Sequence, residues 1–77
     1  LAKVMGDLEA RVLETVWALR TPVPARAVYE RVIESHPVAP LTVITVLNKL
    51  VTKGFLTRKP KGGLLHYRAV MEETEFR

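Results

Sequence analysis

Thr42, Thr45, Asn48 and Lys49 follow one another closely, with Lys53 one helical turn further on. Steps of three and four gather side chains on one face of a helix. Their chemistry suits the edges of nucleic-acid bases: an amide can pair bidentately with adenine, an ammonium with the acceptors of guanine, and a threonine methyl can meet the methyl of thymine. Further along, Arg58, Lys59 and Lys61 form a second cationic group, of the kind that grips phosphates without reading sequence. Lys53 is expected to join them as a phosphate contact. Nothing comparable points to catalysis. His36 and His66 stand thirty positions apart, no Ser–His–acid order stands out, and there is no glycine-rich phosphate cradle. An enzyme is not expected, nor is a metal or cofactor.

What must hold these residues is small. Seventy-seven residues suffice for one compact domain with one core. Without cysteine there is no disulfide framework, thiolate metal site or cysteine nucleophile, which fits a reducing, cytoplasmic location. No apolar run reaches the length of a membrane span, and the start lacks a signal pattern. The net charge of +4 is unevenly spread. Residues 1–40 carry five basic and five acidic groups, whereas residues 41–70 carry six basic groups and no Asp or Glu. A solvated basic face is the plain reading of that segment, and a polyanionic partner is the sharper one.

Hydrophobic spacing supplies the elements. In "GDLEARVLETVWALR", Leu8, Val12, Leu13, Val16, Trp17 and Leu19 make one apolar stripe, predicting a helix over 7–20 with Asp7 as its cap and Arg20 at its negative end. Trp17 is expected in the core. Pro22 breaks that helix, Val23 is held extended by the proline after it, and Pro24 opens a second helix over 24–35 with Ala25, Val28, Tyr29, Val32 and Ile33 inward.

"LTVITVLNKLVTKG" is rich in β-branched residues and would be drawn as a strand on propensity. Its apolar residues mix odd and even positions, however, and Val43, Val46, Leu47 and Leu50 fall on one arc of a wheel turning 100° per residue. A third helix over 40–53 follows, started by Pro40 and stopped by Gly54. After it, "FLTRK", "PKGG" and "LLHYRAV" predict a hairpin with a four-residue connection, Lys59 and Lys61 at its tip, and Pro60 at the edge or in the loop. "MEETEFR" looks like the start of another helix.

This order predicts a mainly α fold with a small β-hairpin, a winged helix-turn-helix of three helices and a two- or three-stranded antiparallel wing over residues 1–70. The third helix would enter the major groove of double-stranded DNA with Leu41, Thr42, Ile44, Thr45, Asn48 and Lys49 towards the bases, and the wing would lie on the backbone. Leu41 and Ile44 give its first turn an apolar character suited to thymine methyl groups. Two other readings stay open: a winged helix used only for protein–protein interaction, which predicts neutral or mixed charge on these surfaces, and binding of structured RNA, which lacks exposed aromatics for stacking.

The chain also resembles the penicillinase-repressor group of bacterial transcription factors, which includes the BlaI, MecI and copper-responsive CopY repressors. "GDLEARVLETVWAL" is similar to the group's opening helix, "VPARAVYERV" to its second, "TVITVLNKLVTKGFL" to its third, and "GGLLHYRA" to its returning wing strand. It departs from the pattern at Leu41, Gly63 and Leu65. The resemblance implies a homodimeric repressor on a palindromic operator, released by an inducing signal, with residues 71–77 leading towards a dimerisation region.

Overall fold

The structure, a computed structural model, describes residues 6–76, with the side chain of Phe76 left aside. Residues 1–5 and 77, the ends of the domain limits expected from the sequence, lie outside them. Helix α1 runs Asp7–Leu19. Its cap is Gly6, in extended geometry, and not Asp7, which is the first helical residue. Having no side chain, Gly6 is instead served by Glu9, whose Oε1 accepts the Gly6 N–H at 3.3 Å. Asp7 still favours the positive helix end by charge. Arg20 adopts φ 61° and closes the helix, so it stands beyond the last turn. Val12, Leu13 and Val16 are buried, and the buried Thr15 donates its hydroxyl to the Arg11 carbonyl at 2.7 Å. Trp17 is only half-buried. Its indole N–H donates to the Met71 carbonyl at 2.9 Å, strapping the segment after the last strand to α1.

Val23–Pro24 is more than an extended link: it is strand β1. Pro24 then serves as the N-cap of helix α2, Ala25–Val32, one position earlier in role than expected. The helix also ends three residues before 35. Val28 and Val32 are fully buried, and Ile33, turned 100° further round, falls off that stripe and is exposed. Ser35 and His36 instead donate their amides to the Val32 carbonyl at 3.1 and 2.8 Å, forming the turn towards helix α3, Pro40–Thr52. In α3 the spacing of the core overrides propensity, because Val43, Val46, Leu47 and Leu50 are all buried. Gly54, at φ 89°, stops the helix. The amides of Gly54 and Phe55 close back on Val51 and Leu50 at 3.0 and 2.9 Å, a left-handed termination that glycine accepts without strain.

Strands β2, Leu56–Lys61, and β3, Leu64–Ala69, complete an antiparallel sheet of order β1-β3-β2. Only Gly62 and Gly63 connect the hairpin, at φ 61° and 84°. Two successive positive φ angles match the twist of flanking strands, which is why a two-residue turn displaces the expected four-residue connection. Pro60 consequently lies within β2, opposite Leu65, on an edge strand where a missing N–H is tolerated. Leu56, Tyr67 and Val23 project from the sheet into the core beneath the three main helices. A short helix α4, Glu73–Phe76, follows.

Candidate nucleic-acid interface

The core fixes the rotation of α3, and that rotation decides which side chains remain outside. Leu41, Thr42, Ile44, Thr45 and Lys49 are exposed along one arc, and Asn48 is half-buried at its border. Leu41 is 71% exposed and Ile44 38%. Beside them Ala25, Arg26, Tyr29, Pro40 and Ile44 line a mostly apolar cleft of about 400 Å³ between α2 and α3. The first turn of α3 thus presents an apolar step and the later turns present polar and basic groups.

The cations are not equivalent. Lys53 Nζ lies 3.1 Å from both carboxylate oxygens of Glu9, and Lys49 Nζ is 4.0 Å from one of them. Glu9 is the only acid that reaches this surface among the described ion pairs, and its side chain is 12% exposed. The hydrogen bond from Lys53 holds its carboxyl below the ordinary value, against the opposing effect of burial. Lys53, expected as a free phosphate contact, is therefore partly neutralised from α1, across 44 positions of sequence.

The wing divides by face. Residues directly opposite in an antiparallel pair share a side of the sheet. Val23, Tyr67 and Arg58 form one such row on the helix side of the sheet, where Val23 and Tyr67 are buried and Arg58 stays exposed. Arg58 reaches under α3 and donates from Nη1 to Oδ1 of Asn48, which also accepts the Tyr67 hydroxyl at 3.0 Å. Lys59 pairs with His66, Thr57 with Arg68, and Lys61 with Leu64 on the other side. There Lys59, Lys61, His66 and Arg68 line a cleft of about 580 Å³. None of its three permanent cations makes an ion pair among the described residues. Arg58 therefore does not belong with Lys59 and Lys61 as one cationic group, and Arg68 does.

Sequence reasoning missed Glu9, Tyr67 and Arg68 at this surface. Strand alternation could have placed Arg68 with Lys59 and Lys61, because a four-residue and a two-residue connection shift the pairing by two positions and leave those three side chains on one face. Among the described residues no group of three or more His, Cys, Asp or Glu could hold a metal ion, and no helix is long and apolar enough to cross a membrane.

Three main helices, a turn between α2 and α3, and a three-stranded sheet ending in a hairpin define a winged helix-turn-helix. Residues 5–77 match the family described as penicillinase repressor, and the chain belongs to that family. No curated protein matches it. Among solved structures it is similar to the Bacillus licheniformis BlaI monomeric form, determined in solution in complex with the blaP half-operator. The TM-score is 0.77 at 22% identity, covering 95% of this chain and 88% of that one. It is also similar to a chain of HOP2, from a study of its DNA recognition and protein interaction domains and homologous DNA pairing. There the TM-score is 0.71 at 21% identity, covering 80% of this chain and 97% of that one. Likeness at these identities concerns the fold.

Proposed function

We propose that this protein binds double-stranded DNA sequence-specifically as a bacterial transcriptional repressor. The observation that carries the reading is the fate of the thirty-residue segment without Asp or Glu. It folds into the outer arc of α3 and the wing, which are the surfaces a winged helix offers to a duplex. Family membership and the fold shared with the operator-bound BlaI support the same reading.

In this proposal α3 lies in the major groove. Thr42, Thr45 and Lys49 meet base edges, Leu41 and Ile44 meet thymine methyl groups, and Asn48 offers the donors of its amide nitrogen. Lys59 and Lys61 lie against phosphates with Arg68 beside them, while Lys53 gives a weaker phosphate contact because Glu9 shares its ammonium. Residues 1–70 act as the DNA-binding domain and residues 71–77 lead towards a dimerisation region. The repressor works in the cytoplasm as a homodimer on a palindromic operator. Selection of bound duplexes from a random pool tests the reading: enrichment of a palindrome is expected. A pool that stays random would sink sequence-specific binding and favour a protein-interaction role.

A further inference from the structure

We propose that Asn48 is a positioning residue that pins the wing to α3, and that it does not read adenine. The inference rests on the DNA-binding reading for its consequence but on the geometry of the free protein for its substance.

Bidentate recognition of adenine needs both ends of the amide, with the oxygen accepting from N6 and the nitrogen donating to N7. An amide oxygen has two lone pairs. Here Oδ1 of Asn48 already accepts the Tyr67 hydroxyl at 3.0 Å and the Arg58 guanidinium. Both are occupied. Only the Nδ2 donors remain, and the N7 atoms of adenine and guanine accept them alike.

The partners explain why the oxygen is held. Tyr67 is 1% exposed, so its hydroxyl is costly to leave without a partner. Arg58 stands directly opposite Tyr67 in the hairpin, so one oxygen on α3 binds neighbouring side chains of both wing strands. Beyond the two positions where β1 pairs with Tyr67 and His66 the wing is a two-stranded hairpin, which is marginal by itself, and this junction fixes the angle at which Lys59, Lys61 and Arg68 stand relative to the recognition helix.

Tyr67→Phe tests the idea, because the buried ring stays and its hydroxyl cannot touch DNA directly. In the free full chain, Asn48→Ala and Tyr67→Phe should each raise the unfolding equilibrium constant about tenfold, with little further rise in the double variant. Both should also shift and broaden the wing amide resonances from Thr57 to Arg68. Asn48→Asp, which keeps an acceptor in place, should retain the wild-type wing spectrum in the free protein. On DNA, Tyr67→Phe should weaken cognate and random duplexes by the same factor, and Asn48→Ala should weaken both by at least that factor. Additive stability effects with an unmoved wing spectrum would overturn the proposal, as would a loss confined to cognate DNA in Asn48→Ala with Tyr67→Phe silent. Should the wild-type chain bind no duplex, the DNA reading fails while the free-protein measurements still decide the pin.

Discussion

Glu9 does three things with one carboxylate: it accepts the Gly6 amide at the start of α1, binds Lys53, and lies within 4.0 Å of Lys49. Because Lys53 holds its carboxyl below the ordinary 4.5, its stabilising effect is complete above that unfolded value. It is lost as pH falls from there through the lowered folded value. Denaturant midpoints measured from pH 6 down to pH 3 should therefore fall less steeply for Glu9→Gln than for the wild type. Parallel curves would mean that the ion pair does not form in solution. Releasing Lys53 and Lys49 should also strengthen binding of Glu9→Gln to random DNA and steepen its salt dependence. Lys49 carries a separate prediction. Lys49→Ala should weaken cognate binding by about 1–3 kcal/mol more than random binding, as befits a base contact. Equal losses would assign it to phosphate. In the core, Leu50 is fully buried, and Leu50→Ala should cost about 2–5 kcal/mol in chemical denaturation. A silent variant would contradict the packing described here.

Among the elements, α3 shows how far pattern outweighs propensity. Val43, Ile44, Thr45 and Val46 favour strands taken singly, yet the buried set Val43, Val46, Leu47 and Leu50 has helical spacing, and Pro40 and Gly54 mark its ends in the sequence itself. What could not be read there depends on contacts distant along the chain. Val23–Pro24 becomes a strand only because β3 pairs with it, and two residues carry too little periodicity to announce themselves. Glu9 looks like a helix-start acid until the fold brings Lys53 against it. The wing turn is intermediate: Gly62 and Gly63 were visible, but whether Pro60 lay in the loop or in an edge strand was a question of register. Extending β2 to Lys61 carries a consequence, because alternation then puts Arg58 on the face of Tyr67 beside α3 and Lys61 on the opposite, outer face. Lys61→Ala should therefore weaken cognate and random DNA about equally and flatten the log-log salt dependence by about one unit. Titrations giving an unchanged slope would remove the outer wing face from the DNA contact.

For the molecule as a whole, charge is sorted by position. The first forty residues balance their charges, and the excess collects in α3 and the wing, with Glu9 as the acid that tempers it. A duplex meeting this surface should shed counterions mainly where Lys59, Lys61 and Arg68 of the outer wing, which make no ion pair among the described residues, neutralise its phosphates. At about 0.9 units for each neutralised phosphate, the log-log salt slope for one protomer on a half-site should be roughly −3. Glu9 limits what Lys53 adds to it. A homodimer seated on a palindrome places two such surfaces on the duplex at once, so its slope should be roughly double that of the half-site complex. Titrations of a single half-site and of the full palindrome at several salt concentrations measure both values. A slope that stays the same on the full site would mean that the second protomer makes no phosphate contact, and the dimeric repressor reading would fail while DNA binding by a single domain survived.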